Sequence, residues 1–247
     1  MKKTIKTICI FAILSFSTFA SAVTIDDISQ KLEQNIAKIK DMQADIEIKT
    51  NMDAGKQVVK KMQILSKGTD KIKVTTIAPQ KQAIIFNDKK MQIEDSNGKK
   101  TIINKDSLSQ GQLQAMSPKD MNPQRSITNF LKDGKSKIIN SNGNIYTLEI
   151  IPNEKDKNPL MEKAELQVDY AKGLIINQKL YSNMGISITD ISYKKIGNTW
   201  VMNKMEVTTP MGLTGKSAMI TVNYDNIKVN QGISDKIFTI ENNSIQK

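Results

Sequence analysis

The stretch Met42 to Met52, MQADIEIKTNM, constrains this chain more than any other. Extended, it puts Met42, Ala44, Ile46, Ile48 and Met52 on one side and Gln43, Asp45, Glu47, Lys49 and Asn51 on the other. Such a strand has one dry face and one wet face. A sheet built from strands of this kind can leave its outer face in water, but its inner face has to be covered by a second layer or by a ligand.

The same rhythm continues beyond the Asp53-Ala54-Gly55 turn. KQVVKKMQILSK, DKIKVTTIAP, KQAIIFND, KKMQIEDSNG and KKTIINK follow in succession, punctuated by Gly68, Pro79, Asn87-Asp88 and Asn97-Gly98. Spacings of about eight to twelve residues with short turns describe an antiparallel meander, because a parallel sheet needs long crossovers. Between Asp106 and Gly134 the pattern changes. DSLSQGQLQAM is weakly helical, and Asn122-Pro123 caps a second helix that presents Ile127, Phe130 and Leu131 on one side. Strands then resume as KIINSN, IYTLEIIP, EKAELQVDY, LIINQKLYS, ISITDISYKKI, TWVMNKMEVT and SAMITVNYDNIKV, with a last short run KIFTI.

Three of these late strands slip their apolar alternation by one residue midway. Ile186 and Ile188 give way to Ile191 and Tyr193, Trp200 and Met202 to Met205 and Val207, and Ile220, Val222 and Tyr224 to Ile227 and Val229. A β-bulge makes such a slip, and bulges in neighbouring strands bend a sheet. Ahead of the first strand, Thr24 caps a helix with Asp26 and Asp27 in its first turn, and Ile25, Ile28, Leu32, Ile36 and Ile39 recur at helical spacing. The expected fold is mainly β (α+β): a strongly curved antiparallel half-barrel sheet of about 10–12 strands, covered on its concave face by about three short helices. No linker or composition shift divides residues 23–247 into more than one domain.

The first 22 residues read as a secretory signal. Lys2, Lys3 and Lys6 precede an apolar run from Ile8 to Leu14, and small residues end at Ala20-Ser21-Ala22, the expected cleavage point. The run is too short to span a bilayer. Cys9 is the chain's one cysteine and leaves with the signal, so the exported product has no disulfide, thiol nucleophile or thiolate metal site. Histidine is absent, which excludes Ser-His-Asp catalysis and the usual zinc ligands. The formal charge of +11 rests on lysine, Arg125 being the sole arginine, and aromatic residues make up 5%. Nucleic-acid surfaces rely on arginine forks and stacking aromatics, so a solvated face, or attraction to an anionic membrane surface or acidic partner, is the better reading.

Two carboxylate pairs invite an enzymatic reading and do not sustain it. Asp26 and Asp27 lie in a helix N-terminal turn, while Asp45 and Glu47 alternate outward on a strand. Thr208 to Gly212 is a turn, and no glycine-rich phosphate loop precedes a helix. We expect neither catalytic nor metal-binding residues, and no cofactor.

The order of elements resembles that of the periplasmic lipoprotein carriers and lipoprotein-sorting proteins of the LolA type. The resemblance is carried by Thr75 to Asp95, where a strand ends at Pro79 and the next two flank the turn Asn87-Asp88-Lys89. It is carried also by the proline-led segment Pro123 to Leu131, by the hairpin KIINSNGNIYTLEIIP, and by the closing Ile237-Phe238-Thr239 run. It covers nearly the whole exported chain. Two departures stand out: the family's Arg-Pro after the second strand is replaced by Ser66-Lys67-Gly68-Thr69, with Lys67 the nearest substitute, and Ile72, Val74 and Met91 stand where the family favours Trp and Tyr.

The resemblance implies a monomeric carrier in the periplasm whose ligands are acylated lipoproteins or lipids. It further implies an inner-membrane release complex and an outer-membrane acceptor as partners, peripheral membrane contact only, and no nucleic acid. Exposing a ~16-carbon chain to water costs about 13 kcal/mol, so a carrier must replace that water with an apolar lining. The expected lining is Met42, Ala44, Ile46, Ile48, Met62, Ile64, Ile72, Val74, Ile84, Phe86, Met91 and Ile93, with Ile127, Phe130 and Leu131 as lid contacts. A lipid-sensing regulatory module and an exported structural β domain are the competing classes.

Overall fold

The computed structural model describes residues 23–52, 55–87, 90–104, 131, 135–152, 161–212 and 215–240. Strand formation follows the alternation closely. β1 (Asp41–Asn51), β2 (Gln57–Lys67), β3 (Lys71–Ala78), β4 (Gln82–Asn87), β5 (Lys90–Glu94) and β6 (Lys100–Asn104) form one meander. β7 (Lys135–Asn142), β8 (Ile145–Ile151), β9 (Lys163–Asp169), β10 (Leu174–Ser182), β11 (Gly185–Ile196), β12 (Thr199–Pro210) and β13 (Ser217–Val229) form the second. Antiparallel pairing of β1 with β13 joins them into one open sheet of 13 strands, with β6 at one edge and β7 at the other. That is more than the 10–12 expected.

The seam between the meanders is fixed at its start by a cluster of polar side chains. The Asp41 carboxylate, buried, accepts the N–H groups of Gln231 and Gly232 at 2.8 and 3.0 Å, and its carbonyl accepts that of Asn230. Asn230, at φ 58°, accepts the Lys40 N–H and donates to the Lys38 carbonyl, both at 2.8 Å. Charged acceptors make the stronger backbone bonds, and a register slip here would orphan several of them at once.

Two of the three expected bulges form. β12 carries Asn203 as an extra residue between the pairs Tyr193↔Met202 and Ser192↔Lys204. β13 carries an extra residue around Asn226, at φ 50°, between Asp45↔Asp225 and Gln43↔Lys228. β11 does not bulge: its register against β10 is unbroken, and Ile186 and Ile188 simply stand exposed on the face opposite buried Ile191. The apolar residues change face because the strand is apolar on both sides at different ends. Nor is KIFTI a strand. Ser234 accepts the Lys236 N–H and winds Asp235–Phe238 into a 3-10 turn, whose fully buried Phe238 leaves its carbonyl to accept from Asn87 at 3.0 Å.

One α-helix, α1 (Ile25–Ala37), lies within the described residues, where about three were expected. The signal segment and the two helices expected between Asp106 and Gly134, with Ile127 and Phe130, lie outside those residues. α1 starts at a reciprocal cap: Thr24 accepts the Asp27 N–H at 3.2 Å, and the Asp27 carboxylate accepts from the Thr24 N–H and hydroxyl at 2.8 and 2.7 Å. Those bonds, the backbone one foremost, hold the Asp27 carboxyl below its usual value. The helix buries Ile28 and Leu32 completely in a cluster with Leu148, Ile150, Leu166, Val168, Ile175 and Ile191 of β8–β11. Gly173, in the β9–β10 turn at φ 65°, admits this approach, since a Cβ there would stand 2.3 Å from the Lys31 carbonyl oxygen.

Candidate ligand-binding face

We call inner the face on which α1 lies. Across β1 to β5 the register builds an apolar grid. Ala44 stands opposite Ile64 and Ile46 opposite Met62; Ile64 faces Val74, and Ile72 faces Phe86. Val74 faces Ile84, and Phe86 and Ile84 face Met91 and Ile93 in turn. The structure therefore brings all twelve residues expected to line a ligand, Met42 and Ile48 included, onto one face and into one hydrophobic cluster. Ala44, Ile46, Ile64, Ile72, Val74, Phe86 and Met91 are buried, and the other five partly so.

The grid does not stop at the seam. Ile48 and Ile46 pair with Val222 and Tyr224 of β13, and Ile220, Ile227 and Val229 belong to the same cluster. Met205 packs against both this cluster and the one beneath α1, so the two are continuous. Sequence reasoning stopped at the first meander and missed this extension, although the alternation Ile220, Val222, Tyr224 was there to read. Leu131 is buried with Ile28 and Leu32 in the helix-covered cluster, its carbonyl accepting from the Ser136 hydroxyl at 3.2 Å.

Polar groups on this face are few. Tyr224 is desolvated, which pushes its phenol up to about 12. The side-chain oxygen of Asn203, in the β12 bulge, is buried with no hydrogen-bond partner among the described residues. Lys67 takes no part: with Lys71 it holds the Asp235 carboxylate, at 3.1 and 2.7 Å, on the opposite face from Ile64 and Ile72. These ammonium groups, Lys71 first, hold the Asp235 carboxyl below its usual value.

The carboxylates weighed for catalysis are structural. Asp27 caps α1, Asp45 accepts from Gln63 and Asn226, and Glu47 pairs with Lys49 at 2.7 Å and Lys61 at 3.7 Å on the wet side. Among the described residues no three His, Cys, Asp or Glu side chains gather as a metal site, and no helix is long and apolar enough to cross a membrane.

No protein-family model matches the sequence, and no curated protein does. Solved structures do match. A DUF1329 family protein from Desulfovibrio piger superposes with a TM-score of 0.63 at 17% identity, covering 87% of this chain and 95% of its own. A LolA superfamily protein from Nitrosomonas europaea gives 0.59 at 20% identity, covering 89% and 99%. A domain from Vibrio parahaemolyticus, named for outer membrane lipoprotein sorting, gives 0.57 at 16% identity, covering 87% and 97%. The fold is LolA-like.

Proposed function

We propose that this chain is an exported, periplasmic carrier that holds the acyl chains of lipoproteins or lipids against its inner face and ferries them toward the outer membrane. The observation that carries the reading is the apolar grid itself: twelve side chains from five consecutive strands, extended by β13, with α1 over the other half of the sheet. Glu47, Lys49 and Lys61 point to the opposite face, and among the described residues of β1 to β5 the one charged side chain on the inner face is the exposed Lys60, opposite Ile48 at its end. An acyl chain laid along Ala44, Ile64, Val74 and Ile84 therefore meets no carboxylate or ammonium. Leu131, and with it Ile127 and Phe130, would supply the lid. An inner-membrane release complex and an outer-membrane acceptor would load and unload it, the whole cycle proceeding without catalysis, metal or cofactor.

A fluorescent fatty acid, cis-parinaric acid, tests the reading in titrations of residues 23–247. The carrier reading expects saturable binding that Ile46→Asp and Ile48→Asp both abolish, and that Ile188→Asp, on the exposed outer face, leaves unchanged. Ile48 is only partly buried, so Ile48→Asp disturbs the fold less than Ile46→Asp, and circular dichroism of each variant separates lost binding from lost folding. Equal binding by all three variants would remove the ligand from this face.

A further inference from the structure

Asn203 and Tyr224 bring two polar side chains to the inner face where β12 meets β13. Lys204 and Asn223 are paired across β12 and β13, and Met205 pairs with Val222. Asn203 and Tyr224 each stand one residue beyond the Lys204↔Asn223 pair, on adjacent strands, and strand alternation puts both on the side of Met205 and Val222. Tyr224 packs against Ile46's cluster, while Asn203 occupies the bulge and keeps a buried carboxamide oxygen that has no hydrogen-bond partner among the described residues. No hydrogen bond to the Tyr224 hydroxyl occurs among the described residues.

A buried acceptor left without a donor is costly, and folded chains retain few of them. A fold that needed only packing here would favour leucine and phenylalanine. The phenol stays protonated throughout the physiological range, its pKa raised to about 12, and is therefore an O–H donor. The carboxamide oxygen is an acceptor. Together they place one donor and one acceptor on adjacent strands, each one residue beyond the last β12–β13 pair, on a mainly apolar wall.

We infer that Asn203 and Tyr224 form a polar subsite that registers the head of a bound acyl chain. The Tyr224 hydroxyl donates to the acyl carbonyl, and Asn203 accepts from an N–H or O–H group adjacent to it. The inference rests on the carrier reading above and deepens it. An N-acyl amide meets both requirements in one group; an acyl ester beside a free hydroxyl meets them in two. The alkyl chain then runs from the seam across β1 toward Ile64 and Val74.

Two lipids that differ by one carbonyl test this. 1-Palmitoyl-lysophosphatidylcholine carries the ester carbonyl and the neighbouring hydroxyl; 1-O-hexadecyl-lysophosphatidylcholine keeps the hydroxyl but has an ether. Below their micellar concentrations, wild-type residues 23–247 should bind the acyl lipid about five-fold more tightly, the value of one ordinary hydrogen bond. Tyr224→Phe should bring that ratio to one. Asn203→Leu should weaken both lipids alike, leaving the ratio intact, and should raise the melting temperature of the empty protein by removing an orphaned acceptor.

Equal binding of the two lipids by the wild type overturns the subsite while leaving the carrier reading standing. Binding of neither overturns both. An Asn203→Leu protein that melts no higher and binds as the wild type does removes Asn203 from the subsite.

Discussion

Gly173→Ala tests how closely α1 is seated on the sheet. At φ 65° an alanine pays roughly 1–2 kcal/mol for the left-handed backbone alone. Its Cβ would also lie 2.3 Å from the Lys31 carbonyl oxygen and 2.9 Å from the carbonyl carbon, both helix backbone, so α1 has to retreat by about 1 Å. A gap of that size forfeits a quarter to a half of the contact energy it opens, and Ile28 and Leu32 each contribute about 1.5–3 kcal/mol by burial. The total comes to about 2–4 kcal/mol. Gly143→Ala is the matched control: its φ is 58°, in the β7–β8 turn, and nothing stands within 4 Å of the added carbon. Urea unfolding of residues 23–247 should place the Gly173→Ala midpoint about 0.5–1 M below that of Gly143→Ala. Equal midpoints would mean that the helix is not held where the structure puts it.

Further perturbations follow from the seam, the helix cap and the charged face. Asp41→Ala removes the acceptor shared by the Gln231 and Gly232 N–H groups and should cost about 3 kcal/mol in the same assay. Thr24→Ala should cost about 1 kcal/mol, and less below the titration of Asp27, whose lowered pKa contributes stability that is lost as the pH falls through it. On the outer face Lys163 lies between Glu149 and Glu165, at 3.1 and 3.0 Å, with Lys137 2.8 Å from Glu149. These ammonium hydrogen bonds, from Lys137 to Glu149 and from Lys163 to Glu165, hold both carboxyls below 4.5. Their contribution is complete above pH 4.5 and fades as the pH drops below it, so the double variant Glu149→Gln, Glu165→Gln should flatten acid unfolding in that window. Tyr224, by contrast, favours its neutral form when folded, so stability should fall as the pH rises from 10 toward 12, and Tyr224→Phe should remove that component from the phenolate absorbance titration.

Strand alternation made the candidate face legible. Period-two patterning in β1 to β5 was enough to assign all twelve lining residues to one side, because each strand is short, dry on one face and separated from the next by a tight turn. The same logic failed where apolar residues serve both faces. Ile186 and Ile188 mimic half of a bulge but stand outside, and the KIFTI run reads as a strand although Ser234 turns it into a single winding that buries Phe238. Neither the β1–β13 seam nor the place of Gly173 could be read locally, since both depend on chain segments more than a hundred residues apart. Asn203 and Tyr224 carry no motif. Their meaning appears only when the register sets two polar side chains together on an apolar wall.

Lipid extraction tests the central claim most directly. Residues 23–247, purified after export and extracted for mass spectrometry beside a mock purification, should yield acyl-bearing lipid at near one equivalent, or bind it when offered to the delipidated protein, with Ile48→Asp yielding none. A folded protein that carries no lipid and takes up none would show the inner face filled by its own side chains, and would contradict the carrier reading.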